Sequence, residues 1–254
     1  MAGFEGACGM TEAEFAGEVA LVTGGGRGIG RATAELLADR GARVAICGRT
    51  SSELNEVRDS IQLGGGVAAA ITMDVEDEAS VERAIAEASA ELGPISMLVN
   101  NAGVALLKPA LETTVAEWDH MFSVNVRGSF LCARAVIPGM RSRGGGVIVN
   151  VASIWATRGG PNRAPYIASK HAVVGLTRAL AEEFKEDQIR VIGVNPGPVD
   201  TSMTRAMAAT ADRTGWMEPE DIAQIVVFLC GPYGGVMTGS VIDAFGAGAP
   251  IQTR

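Results

Sequence analysis

Short, nearly unbroken apolar runs alternate along this chain with longer stretches whose apolar positions recur at helical spacing. The runs Val19–Val22, Arg43–Cys47, Val67–Ile71, Ser96–Val99, Gly146–Val151, Ile189–Val194 and Ser240–Asp243 are rich in Val and Ile. They show little polar alternation, as expected of strands covered on both faces. Between them, Ile29–Arg40, Ser52–Gln62, Glu78–Leu92, Val115–Arg143, Pro165–Lys185 and Pro219–Leu229 carry helical period. Ser52 and Thr114 are candidate caps, and Gly41 and Gly93 candidate stops. Strict strand–helix alternation requires right-handed crossovers. It predicts an α/β, doubly wound, mostly parallel sheet of seven strands with helices on both faces. No linker or low-complexity stretch divides the chain, so residues 17–254 read as one domain behind a flexible leader, residues 1–16.

Composition narrows the function classes. The 254 residues include 21 Lys+Arg against 29 Asp+Glu, a net charge of −8. That balance argues against a nucleic-acid surface, which needs clustered cations to displace phosphate counterions. With 47% hydrophobic residues the chain is not disordered. The four cysteines, Cys8, Cys47, Cys132 and Cys230, are far apart and form no CxxC pair, which predicts reduced thiols and no metal site. The first basic residue is Arg27, so no signal peptide is expected, and no apolar run is long enough for a membrane span. A cytoplasmic protein without membrane partners is the expectation.

The 33 glycines point to loops and close backbone contacts. Eight residues after the first strand read Thr23-Gly24-Gly25-Gly26-Arg27-Gly28-Ile29-Gly30 and open the first helix. Glycines there let the backbone approach a pyrophosphate, whose charge the free N–H groups of the helix start complement. The context favours a Rossmann-type dinucleotide site over an empty flexible loop. The second strand ends Ile46-Cys47-Gly48-Arg49, with no carboxylate for a ribose 2′-hydroxyl. Arg49, with Arg27 as a second cation, would suit the 2′-phosphate of NADP, with NAD the alternative. Two solvated surface arginines would look the same in sequence.

Tyr166 and Lys170 form Tyr-x-x-x-Lys on one helix face. An ammonium one turn away is expected to favour the phenolate and lower the tyrosine pKa. Ser153, at the end of the fifth predicted strand, could polarise a carbonyl oxygen while Tyr166 supplies its proton. These motifs, with Asn100-Asn101-Ala102-Gly103, Asn125 and Asn195-Pro196-Gly197, resemble the short-chain dehydrogenase/reductase family from about Gly17 to Phe245. The sequence is most similar to the ketoreductase branch that includes 3-oxoacyl-[acyl-carrier-protein] reductases.

The resemblance implies an NADP-dependent oxidoreductase interconverting a ketone and a secondary alcohol, assembled as a homotetramer or dimer. It implies Tyr166 as general acid/base, Lys170 on the nicotinamide ribose, Ser153 as carbonyl orienter and Asn125 as support for a proton relay. Gly24, Gly26, Arg27, Gly28, Ile29 and Gly30 would hold the pyrophosphate. Asp74 and Val75 would meet the adenine, and Asn101, with Ala102 and Gly103, the adenosine-side ribose. Val199 and Thr201 would meet the nicotinamide carboxamide, and Pro196 and Gly197 would also contact the cofactor. A catalytically silent dinucleotide-binding protein is the competing class, disfavoured by the complete Ser153, Tyr166 and Lys170. A sugar-nucleotide epimerase would need a longer C-terminal part. The family's common Asp-Gly-Gly end is here Asp243-Ala244-Phe245, which puts subunit contacts and the site's rim in doubt. Met203, Met207, Trp216 and Met217 could line an apolar pocket or simply pack a helix. His120 and His171 read as structural, and Asp74 to Glu78 as a solvated helix start.

Overall fold

The computed structural model describes residues 14–207 and 210–246. Strands β1 (Val19–Thr23), β2 (Arg43–Gly48), β3 (Val67–Thr72), β4 (Met97–Asn100), β5 (Gly146–Val151), β6 (Ile189–Pro196) and β7 (Val241–Ala244) form one seven-stranded sheet. Their order is β3-β2-β1-β4-β5-β6-β7, and every pairing is parallel. The sheet is therefore wholly rather than mostly parallel. The helices are α1 (Gly28–Asp39), α2 (Ser51–Leu63), α3 (Glu78–Leu92), α4 (Val115–Phe122), α5 (Gly128–Arg143), α6 (Ala164–Glu183), α7 (Ser202–Met207) and α8 (Pro219–Cys230).

Neighbouring strand residues enter different cores, which explains the unbroken apolar runs. Ala20 and Val22 pack with Leu37 of α1, Val57 of α2 and Val226 of α8. Val19 and Leu21 pack on the opposite face with Ala84 of α3 and Val136 of α5. Both faces are dry, so period-two alternation has no reason to exist. The strand order reverses between β1 and β4, and the crevice outside their carboxyl ends is the place such a sheet offers a ligand.

Four local readings are corrected. Phe15, placed in the leader, is buried in the core and donates its N–H to Arg40 O at 2.9 Å, so the fold begins earlier than residue 17. Residues 1–13 of that leader, with Cys8, lie outside the described residues. Ser52 does not cap α2: the helix starts at Ser51 behind Thr50, whose side chain makes no capping bond. The last strand is shifted one residue, because β7 follows the register Gly193↔Val241 to Pro196↔Ala244. The long helix Val115–Arg143 is interrupted by a π turn at Ser123–Arg127, centred on Asn125. Thr114 does cap α4, accepting from Glu117 N at 3.2 Å while the Glu117 carboxylate takes the Thr114 N–H at 2.8 Å.

Candidate active site

The glycine loop is held from the neighbouring strand end. Thr23 Oγ1 accepts from the N–H groups of Asn101 and Ala102, at 3.0 and 2.9 Å. The Asn101 side-chain amide donates to Thr23 O and Gly24 O, at 3.0 and 3.1 Å. Gly24 turns the chain with φ +63°, and a Cβ at Gly30 would lie 2.3 Å from Gly24 O. Helix and loop thus meet at a separation only glycine permits. No side chain caps α1, so its first N–H groups remain for a ligand. An uncapped helix start behind a loop with no room for Cβ atoms fits a dinucleotide pyrophosphate.

From this loop a cavity of about 540 Å³ runs to Tyr166. Its lining brings together Gly24, Gly26, Arg27, Gly28 and Ile29 with Arg49, Asp74, Val75, Asn101, Ala102 and Gly103. Ser153, Tyr166, Lys170, Pro196, Gly197, Val199 and Thr201 line it too. Gly30 and Asn125 are not in the lining. Gly30 contributes through close packing. Asn125 is buried behind the wall: its Oδ1 accepts from Val104 N at 2.8 Å and its Nδ2 donates to Val104 O at 3.0 Å. The π turn aims this amide at the loop after β4 while Ser129 Oγ donates to Asn125 O at 2.9 Å. Arg27 lies 3.7 Å from Glu53, so it is not a free cation.

Ser153 follows β5 and caps a short turn, accepting from Trp155 N at 3.3 Å. Tyr166 stands in the first turn of α6, and Lys170 one turn on donates Nζ to Val151 O at 3.0 Å. The expected depression of the tyrosine pKa by Lys170 is not found. Burial pushes the phenol above its ordinary value, against the smaller pull of the Ser153 hydroxyl and the Arg163 charge. Burial likewise brings Lys170 down to about 8. Desolvation is the largest influence on both groups, and Lys170 Nζ, anchored to backbone, sits 5.8 Å from the Tyr166 ring centre.

Several cavity residues escaped the sequence reading. Trp155, Arg158 and Arg163 lie between Ser153 and Tyr166 and line the same space, with Leu106 and Phe245. Phe245 is part of the altered C-terminal end, which still ties β7 to β6 through Asn195 Nδ2 donating to Asp243 at 2.8 Å. Met203, Met207 and Trp216 do face the cavity, whereas Met217 is buried in the core. His171 Nδ1 meets Ile167 O of its own helix and His120 Nδ1 meets Glu76, at 2.9 and 3.1 Å. Asp77 caps α3, accepting from Ala79 N at 3.1 Å.

The family model described as short chain dehydrogenase matches residues 18–212, which span the glycine loop, Ser153, Tyr166 and Lys170. The chain belongs to the short-chain dehydrogenase family. Galactitol 2-dehydrogenase (L-tagatose-forming) of Cereibacter sphaeroides is 40% identical, across 91% of this chain and 94% of the relative. A 3-oxoacyl-[acyl-carrier-protein] reductase of Vibrio harveyi is 36% identical, across 91% and 96%. Among solved structures, one described as an NAD(P)-dependent gluconate 5-dehydrogenase of Beutenbergia cavernae, with NADP at low occupancy, superposes with a TM-score of 0.85. It is 38% identical, covering 91% of this chain and 96% of its own. This short-chain dehydrogenase is an oxidoreductase, and its relatives include 3-oxoacyl-[acyl-carrier-protein] reductases. Among its described residues no helix is long and apolar enough to cross a membrane.

Proposed function

We propose that this oxidoreductase interconverts a ketone and a secondary alcohol with NADP as hydride carrier and Tyr166 as general acid/base. The observation that carries the reading is the convergence of Ser153, Tyr166 and Lys170 on the cavity that begins at the glycine loop. A bound nicotinamide would supply or accept the hydride. The protein's part is a proton at one atom. With its pKa raised by burial, the Tyr166 phenol holds its proton at neutral pH and stands ready to donate to a developing alkoxide. The Ser153 hydroxyl orients the same oxygen, and Lys170, kept in place by Val151 O, is positioned for a ribose hydroxyl. Asn125 supports the site from behind, by fixing the loop after β4.

For the cofactor, the exposed Arg49 follows a tip residue, Gly48, that offers no carboxylate, which supports NADP over NAD. Exposed apolar side chains on and beside α4 and α5, including Val115, Trp118 and Phe130, support a homo-oligomer, a dimer or tetramer. A silent binding protein would not need the reactive trio complete. Tyr166→Phe is the test: turnover of a ketone panel with NADPH falls by at least about 100-fold, with cofactor affinity unchanged. A variant that retains most of its turnover overturns the role of Tyr166.

A further inference from the structure

The far end of the cavity differs in charge from the rest of this chain. Acidic residues outnumber basic ones, 29 to 21. Many surface arginines accordingly meet carboxylates, Arg141 with Asp187 at 2.8 Å and Arg205 with Asp200 at 2.7 Å among them. Arg158 and Arg163 both line the cavity, yet neither is ion-paired among the described residues. The carboxylates in the lining, Glu53 and Asp74, come from α2 and the loop after β3, and Glu53 already faces Arg27.

Both guanidinium groups are braced on aromatic rings. Arg163 lies 4.5 Å from the centre of Trp155 and Arg158 lies 5.5 Å from that of Phe245. A ring face attracts a nearby guanidinium without using its N–H groups, which remain able to donate. Arg163 gives one N–H to Pro161 O at 3.0 Å. Arg158 donates to no acceptor among the described residues.

The rings are fixed in turn. A Cβ at Gly160 would fall 2.5 Å from the Trp155 ring, so the backbone lies directly on the indole. Asn162 O accepts from Lys108 N at 2.8 Å, and Gly197 N donates to Ala244 O at 2.8 Å beside Phe245. Arg163 flanks the start of α6, three residues before Tyr166, and its charge acts on the phenol. A half-buried cation without a counter-ion is unfavourable, and burial already lowers the pKa of Arg163. A ligand anion would relieve that cost, and the guanidinium fork matches carboxylate and phosphate oxygens.

The geometry points to Arg158 and Arg163 as an anion clamp, so that the alcohol or ketone handled at Tyr166 carries a carboxylate or phosphate group. The clamp rests on the reading of this cavity as the substrate site. Leu106, Met203 and Trp216 supply apolar wall, which suits a compact hydrocarbon body between the two polar ends.

Two measurements test it. Calorimetry on protein saturated with NADP compares cyclohexanecarboxylate and cyclohexyl phosphate with neutral cyclohexylmethanol. At least one anion binds about 10-fold or more tightly than the alcohol. That advantage shrinks in Arg158→Ala and Arg163→Ala and weakens with added salt. The tighter anion names the head group.

Steady-state kinetics then compare 4-oxocyclohexanecarboxylate with its methyl ester. Wild type prefers the acid through KM, and both variants bring the acid-to-ester ratio of kcat/KM toward one. Anions that bind no better than the alcohol, or an acid-to-ester ratio unmoved in both variants, overturn the clamp. Selective anion binding without turnover of any ketone would sustain the clamp and overturn the oxidoreductase chemistry proposed for Tyr166.

Discussion

Lys170 and Tyr166 are one turn apart, and sequence logic makes the lysine the agent that activates the phenol. The structure places Lys170 Nζ against Val151 O at 3.0 Å, inside the protein, where burial acts on lysine and tyrosine together. Each is driven toward its neutral form, and the help for the phenolate comes from Ser153 and Arg163. Arg49 is the opposite case, an exposed side chain whose value lies in what it meets. If it meets a 2′-phosphate, Arg49→Ala weakens NADPH binding by about 10-fold, the lower end for a charge-assisted contact in water. NADH binding is unaffected, and Gly48→Asp shifts the preference toward NADH by repelling the phosphate. Dissociation constants for both reduced cofactors check this; equal losses in Arg49→Ala would remove Arg49 from cofactor choice.

Helices place these side chains, and their ends and irregular turns carry much of the information. The capping box of α4 ties Thr114 to Glu117, and Lys108 Nζ lies 2.9 Å from the same carboxylate. The Thr114 backbone N–H and Lys108 hold the Glu117 pKa down to about 2, from an ordinary 4.5. A depressed carboxylate stabilises the fold fully above the ordinary value and loses that contribution as pH falls toward about 2. Thr114 is also the N-cap, and Thr114→Ala lowers unfolding stability by about 1 kcal/mol at neutral pH, the usual loss for an N-cap. Urea unfolding at pH 7 and pH 3 checks both statements, and the difference between wild type and variant is smaller at pH 3. One turn beyond α4, the π turn seats Asn125 against Val104, so an extra residue in a helical turn becomes a brace for the cavity wall.

For the protein as a whole, one parallel sheet with its order reversed between β1 and β4 gathers strand ends from distant parts of the chain into a single cavity. The altered C-terminal end belongs to that cavity as well, because β7 pairs with β6 and leaves Phe245 at the lining. On α4 and α5 the outer surface carries exposed apolar side chains among charged ones: Val115 is 76% exposed, Trp118 40% and Phe130 39%. A face of this kind is stable in water when a second copy covers it. Light scattering at micromolar concentration is expected to give a mass at least twice the 26.2 kDa chain. Trp118→Glu with Phe130→Glu would shift the population toward monomer; a wild-type monomer would remove this face as an interface.

Local chemistry accounts for what was readable beforehand. Apolar runs without alternation mark strands covered twice, as Leu21 and Val22 illustrate by entering opposite cores. The glycine loop and the Tyr166–Lys170 spacing are equally local, since a tight turn and a helix face each depend on a few neighbouring residues. Choices made between distant segments were hidden. Ser51 rather than Ser52 begins α2, Phe15 joins the core, and the long helix opens into a π turn because packing partners outweigh weak local preferences. Burial of Tyr166 and Lys170 is a property of the assembled cavity, and it reverses the sign that proximity alone suggests. Arg158 and Arg163 carry no motif, and only the fold sets them on Phe245 and Trp155 beside the reactive tyrosine.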